Sequence, residues 1–281
     1  CNFQLRGNDA LGDEHFVQDY CGKYNIPFYS IRFDVEAYQK TGNYSVEMAC
    51  RNLRYNWFEE IQQLNQLDSL VTAHHLDDNI ETFLINLARG TGLKGLIGMQ
   101  VDNGKIFRPL LNFTKNDLLK FAQKNELQWR EDYTNATDDY LRNKIRHHIS
   151  PVLKTLHPQF DTNFLASLNH IKDNYQIVQD RIDEIRIDLF SGVNPIKIEI
   201  QRLKELQPLE TLLYHLFEKF GFLSSKELLK FLDADTGSEM KSATYRLIKN
   251  RTELLLQAIE EENEDEIMIL DDFIKINSLN L

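Results

Sequence analysis

Residues 70–91 read LVTAHHLDDNIETFLINLARGT, and the reading of this stretch decides the fold. A short apolar, β-leaning segment, Leu70 to Ala73, runs directly into His74, His75, Asp77, Asp78 and Glu81, and then into Arg89, Gly90 and Thr91. If a strand here enters a helix, the spacing puts His74, Asp78 and Glu81 at i, i+4 and i+7, on one helical face. Acids are ordinarily favoured at a helix N-terminus, and that alone accounts for Asp77 or Asp78 taken singly. Three ionisable groups gathered at the end of a core strand are costly without a use, so the set reads as a site.

Working outward, strand-like and helical patterns alternate up to about residue 150. Strand candidates are residues 1–5, 28–33 and 70–73; helix candidates are 13–23, 45–64, 78–89 and 115–124, the last opened by Thr114 and Asp117 in a near capping box. Such alternation indicates a parallel α/β sheet, whose ligands lie beyond the carboxyl ends of the strands. His74 and His75 fall at that place. The helix at 45–64 carries an apolar stripe (Val46, Ala49, Leu53, Trp57, Ile61, Leu64) and aligns Glu47, Arg51 and Arg54 on its other side. A surface pair between Glu47 and Arg51 is the plain explanation of that second row.

From Phe164 to Leu189 apolar residues recur at alternating spacings of four and three, which predicts one long amphipathic helix. Its narrow seam suits packing between two domains of the same chain better than a zipper with a partner. Beyond Gly192 and Pro195 a smaller unit follows, with a strand at 196–200, helices near 208–219 and 225–232, and a hairpin pairing 245–249 with 253–257. The acidic run 260–266 reads as a solvated loop. The expected division is therefore an α/β domain over 1–155, a connecting helix over 156–190 and a small α+β domain over 191–281.

Bulk properties exclude several classes. With 281 residues the chain can bury a substantial core, and no apolar run reaches the length of a membrane span. Three cysteines with no C-x-x-C pair point to reduced thiols in a cytoplasm and away from a disulfide frame or a cysteine metal site. A net charge of −11 argues against nonspecific adhesion to nucleic acid, although a local basic face remains compatible with it. Two segments offer such a face. Between residues 86 and 111 lie Gly90, Gly92, Gly95, Gly98 and Gly104, with Arg89, Lys94, Lys105 and Arg108 against the single acid Asp102. Clustered glycines let backbone N–H groups approach a phosphate or a base; a plain flexible loop explains the glycines equally well. Residues 141–154, LRNKIRHHISPVLK, hold Arg142, Lys144, Arg146, His147, His148 and Lys154 with no acid, an island suited to phosphates. The bland alternative is a basic helix end that complements its dipole.

Four ordered blocks, SVEMACRNLRYNWF (45–58), TAHHLDDNIETFLINLARGTGLKGLIGM (72–99), FRPLLNFTKNDL (107–118) and WREDYTNATDDYLRNKIRHHISP (129–151), together resemble the tRNA(Ile)-lysidine synthase family. The resemblance continues more weakly through TGSEMKSATYRLIKNRTELLL (236–256). The HHxDDxxET block by itself would indicate only the wider PP-loop ATPases. The resemblance implies a PP-loop ATPase-like parallel-sheet domain and a ligation. ATP adenylates the C2 oxygen of the wobble cytidine in the isoleucine tRNA with a CAU anticodon, and the ε-amine of free L-lysine displaces AMP.

It also implies roles. Asp77, Asp78, Glu81, His74 and His75 become the catalytic candidates, with Asp78 and Glu81 suited to the amino groups of lysine and Asp77 to Mg²⁺, which takes oxygen ligands. Arg51, Arg54, Arg142 and Arg146 suit the lysine carboxylate or phosphates. Arg89, Lys94, Arg108, Lys144 and His147 suit the tRNA. ATP and Mg²⁺ are the cofactors expected, no membrane is, and a homodimer is compatible with the sequence.

The departure is at the start. The family's SGGxDS phosphate loop has no equivalent in these residues, and Cys1 to Arg6 read as the second half of a strand. An N-terminal piece is therefore expected to precede Cys1, and residues 1–281 alone are expected not to catalyse the reaction. Two further readings compete: a noncatalytic tRNA-binding fragment, and a metal-dependent hydrolase built on His74, His75, Asp77 and Asp78. A thiolating relative is disfavoured by the missing cysteine pair.

Overall fold

The computed structural model describes residues 1–132, 138 and 141–259, so the acidic run at 260–266 lies outside the described residues. The chain divides into two compact units, Cys1–Lys172 and Asp173–Leu281.

In the first unit the helices expected at 13–23, 45–64, 78–89 and 115–124 all form, shorter ones join them, and Asp34, Ser45 and Thr114 supply side-chain caps. Helix α1 spans Asn8–Lys23, α2 Val35–Gln39, α3 Val46–Asn65, α4 Leu76–Ala88, α5 Leu93–Leu96 and α6 Lys115–Lys124. Ser45 Oγ accepts the Met48 N–H at the start of α3. At α6 Thr114 and Asp117 exchange bonds in a capping box, as their spacing predicts. The parallel sheet is small: β1 (Leu70–Val71) pairs in parallel with β2 (Ile106–Phe107), Leu70 opposite Ile106 and Val71 opposite Phe107. The two strands expected at 1–5 and 28–33 contract to one parallel bridge between Asn2 and Arg32, held by Asn2 N–H to Ile31 O at 2.8 Å and Phe33 N–H to Asn2 O at 2.9 Å. These two bonds set the direction but are too few to extend a ladder.

After α6 the described chain resumes with α7 (Leu141–Lys144), a π turn (Ile145–Ile149) and α8 (Ser150–Leu156). Sequence reading saw a basic cluster there, with a helix end as its bland alternative, and passed over the apolar row Leu141, Ile145, Ile149, Val152 and Leu156, which recurs at helical spacings of four and three. Helix α9 is the expected long one, Phe160–Leu189, and the unit boundary falls inside it. Its seam serves each unit separately: Phe164 packs edge-on against Phe83 at 5.4 Å, whereas Ile182, Ile185 and Leu189 enter the core of the second unit.

The second unit is a five-stranded antiparallel sheet, ordered β3-β4-β7-β6-β5, with β3 Phe190–Ser191, β4 Ile196–Glu199, β5 Glu239–Lys241, β6 Tyr245–Lys249 and β7 Glu253–Ala258. The hairpin of β6 and β7 is the predicted one. Alternate residues Leu254 and Leu256 are buried, as period-two patterning requires, together with Ile198 and Leu247. They share a core with Leu213, Leu216 and Phe217 of α10 (Leu209–Phe217) and Leu228, Phe231 and Leu232 of α11 (Ser225–Leu232). Burying each such side chain is worth about 1.5–3 kcal/mol before the entropy of ordering it. The edge strands β3 and β5 were not predicted, being short and without alternation.

Candidate active site

The site is built where β1 turns into α4. His75 is the last extended residue, and its N–H donates to Asp78 Oδ2 at 3.0 Å, so Asp78 closes the helix start. His74 therefore lies just before the helix and not on it, a correction to the three-residue helical face. It is still electrostatically coupled to Asp78. Its Nδ1 is 2.7 Å from Thr72 Oγ1. Burial holds the His74 imidazole below its usual pKa; Asp78 opposes this, and Arg108, Arg142 and Arg51 add to it.

Glu81 is the buried centre, with 1% of its side chain exposed. Arg142 Nε donates to its Oε2 at 2.7 Å, and Arg146 donates through Nε to Oε1 at 2.7 Å and through Nη2 to Oε2 at 3.0 Å. Arg142 Nη2 also reaches Asp78 O and Thr82 Oγ1, each at 3.2 Å, and Arg146 Nη2 lies 3.5 Å from Asp78 Oδ1. The acid-free island in the sequence is thus not acid-free in space. Its arginines are folded back onto the carboxylates of α4, 60 or more residues earlier. Thr82, which sequence reading passed over, belongs to the cluster; the i+4 spacing from Asp78 was the available signal.

Asp77 is tied elsewhere. Its Oδ1 receives Lys154 Nζ at 2.7 Å and its Oδ2 receives the Lys115 N–H at 2.7 Å, with His75 Nδ1 at 3.5 Å. Burial pushes the Asp77 carboxyl up, but bonds from His75, Lys154 and the Lys115 N–H together hold it well below the usual carboxylate range. Lys154 also pairs with Asp161 at 3.1 Å. Asp77 is therefore a cross-link between α4, α6 and α8. With both its oxygens and Asp78 Oδ2 already accepting from the protein, these residues do not fit Mg²⁺ as they stand, and no step is assigned to that ion. Nor do His74, His75, Asp77 and Asp78 form a shared metal locus, as the hydrolase reading needs. Among the described residues that property belongs to Asp138, His147 and His148, where His147 Nδ1 and His148 Nε2 lie 2.7 and 2.6 Å from one carboxylate.

The other named cations are dispersed. Arg51 lies over the Tyr55 ring at 4.7 Å and Arg54 over Phe3 at 5.2 Å, in place of the expected Glu47–Arg51 pair. Arg89, Lys94 and Lys144 are exposed. Arg108, expected on the tRNA surface, is buried at 8% exposure. Two glycines of the cluster pack against α4: Gly95 O accepts Asn86 Nδ2 at 2.9 Å, and Gly98, at φ 66°, lets its neighbour Met99 donate to Asn79 Oδ1 at 2.7 Å. A Cβ at Gly98 would collide with that Asn79 oxygen. The close approach those glycines permit is to a side chain of the fold.

Comparison with known proteins gives two family matches, a PP-loop domain over residues 1–153 and a TilS substrate binding domain over residues 192–259. Curated proteins called tRNA(Ile)-lysidine synthase are similar along nearly the whole chain. The one from Bacteroides thetaiotaomicron is 36% identical over 94% of this chain and 62% of its own length. That from Parabacteroides distasonis is 34% identical over 96% and 62%, and that from Chlorobaculum tepidum 32% over 89% and 73%. The chain thus spans 62% of the length of the first two relatives. A PP-loop domain over residues 1–153, a TilS substrate binding domain over residues 192–259 and 32% identity along 73% of the Chlorobaculum protein establish that this chain belongs to the tRNA(Ile)-lysidine synthase family.

Proposed function

We propose that the protein carrying this chain ligates free lysine to C2 of the wobble cytidine of isoleucine tRNA with a CAU anticodon. ATP would adenylate the C2 oxygen with release of pyrophosphate; the lysine ε-amine would then form the C2–N bond as the C2–O bond breaks and AMP leaves. The relatives' shared name is what carries this reading, and the charged cluster beyond β1 supports it. A lysine ammonium has a pKa of about 10.4 and must lose a proton before attack, so an acceptor is needed beside it. His74, held neutral, and Asp78 are the groups placed to hold or take that proton. Because Glu81 is saturated by two guanidiniums, we give it the task of orienting Arg142 and Arg146 towards the lysine carboxylate or phosphates. Asp78, whose Oδ1 has only the longer approaches of Arg146 at 3.5 Å and Arg142 at 4.0 Å, is left to receive the lysine amine.

Arg51, Arg54, Arg89, Lys94, Lys144 and His147 remain proposed contacts to phosphates or tRNA. A wobble base lies in a single-stranded loop and can be splayed into such a site without melting a duplex. Three free cysteines, and the absence among the described residues of any helix long and apolar enough to cross a membrane, agree with action in the cytoplasm. The test is AMP release by the full-length protein with ATP, lysine and unmodified isoleucine tRNA. Lysine-dependent AMP formation is expected, and AMP release indifferent to lysine would refute the reading.

A further inference from the structure

Arg108 directly follows β2, and Thr72, whose N–H donates to Phe107 O at 3.0 Å, continues the same ladder towards His74. Both Arg108 and His74 therefore leave the carboxyl edge of one parallel strand pair, where ligands lie in open α/β sheets. Arg108 is 8% exposed, Nη1 donates to Gln100 O at 2.9 Å, and Nε is buried with no partner. Among the described residues no carboxylate pairs with it. The contrast with Arg142 and Arg146 is informative, because their side chains are 34% and 30% exposed and yet share Glu81. The more buried guanidinium is the one without an anion.

A buried charge without a counterion is costly, and a neutral side chain of similar volume would occupy the place without that cost. Such a charge persists in a fold when something outside the chain completes it. We propose that Arg108 anchors a substrate oxyanion, a nucleotide phosphate or an amino-acid carboxylate, at the carboxyl edge of β1 and β2. The guanidinium fork suits either group, and Arg51 and Arg142, which with Arg108 repel a proton from His74, make the surroundings positive. This moves Arg108 from the tRNA surface to the small-molecule site, and its ligands are those of the lysidine reading above.

Two variants of the full-length protein test it, Arg108→Met and Arg108→Lys, each titrated calorimetrically with ATP and, separately, with lysine. Arg108→Met should weaken one ligand at least about tenfold and leave Tm unchanged or raised, since it removes an uncompensated charge. Arg108→Lys should recover only part of the loss, lacking the fork. Loss in the ATP arm identifies a phosphate as the oxyanion, and loss in the lysine arm a carboxylate. Unchanged affinity for both ligands overturns the proposal, as does an equal loss in both arms with a lowered Tm, which would mark a structural residue. If the wild type binds neither ligand, the lysidine reading itself fails. Inorganic pyrophosphate then tests Arg108 alone, with the same tenfold loss expected and equal binding by wild type and Arg108→Met overturning the assignment.

Discussion

Replacing Glu81 by glutamine keeps the shape of the buried side chain and removes the charge on which two arginines converge. Three N–H donors lie 2.7, 2.7 and 3.0 Å from its oxygens. Glutamine offers one acceptor oxygen and one NH₂, so at least one arginine donor would face another donor. Breaking a buried ion pair costs about 3–5 kcal/mol. With the arginine side chains 34% and 30% exposed, water recovers part of this. We therefore expect about 2–3 kcal/mol. Both tryptophans, Trp57 and Trp129, lie in the first unit, so tryptophan fluorescence during urea unfolding reports on that unit. The midpoint should fall at unchanged slope. A double-mutant cycle with Arg146→Met should return a coupling of at least about 1 kcal/mol. A destabilisation below about 0.5 kcal/mol, or no coupling, would show that the cluster is not the keystone inferred from its geometry.

Other outcomes follow from the same contacts. Asp78→Asn in the full-length protein should raise KM for lysine while leaving ATP affinity nearly intact, and an unchanged lysine KM would remove Asp78 from the site. Because the folded-state pKa of Asp77 is depressed, its stabilisation is complete above the unfolded value of about 3.9 and disappears as pH falls towards the lower folded value. Urea midpoints taken below pH 4 should therefore drop more steeply for the wild type than for Asp77→Asn, which has already lost that contribution at pH 7; parallel profiles would count against the cross-link. Gly98→Ala should cost about 1–3 kcal/mol, from its positive φ and the collision with Asn79, and an unaffected urea midpoint would mean that the loop yields freely. Phe217→Ala, at a fully buried position, should cost about 3–5 kcal/mol by urea unfolding followed by circular dichroism, and a loss under 1 kcal/mol would contradict the packed core.

What the sequence revealed, and what it hid, divides along the range of the interactions. Helices α3, α4, α6 and α9 were legible because caps and apolar periodicity are local: Ser45, Thr114 with Asp117, and the seam from Phe164 to Leu189. The position of Asp78 and Glu81 on one face of α4 was legible for the same reason. Their partners were not, since no spacing rule announces that Arg146 returns to Glu81 across 65 residues. A segment counted as acid-free was open on paper and closed in space. Arg108 failed in the opposite direction, because one of four cations in a glycine-rich stretch looks solvated until the strand pair that buries it is known. The parallel sheet was anticipated in kind and overestimated in extent, as bridge-length pairings carry no alternation to count.

The return of residues 142–154 onto α4 also has a consequence for synthesis of the chain on the ribosome. Glu81 leaves the exit tunnel before either of its arginines, and Asp77 waits across 77 residues for Lys154. At roughly 5–20 residues per second this is a delay of several seconds. During that interval three acids in the first turns of α4 cannot yet be sealed, and burying them would cost more than leaving them in water. The nascent first unit should therefore keep this charged edge wet and open until α7 and α8 emerge. Completion of the charge cluster then coincides with the moment at which this half of the chain becomes able to close.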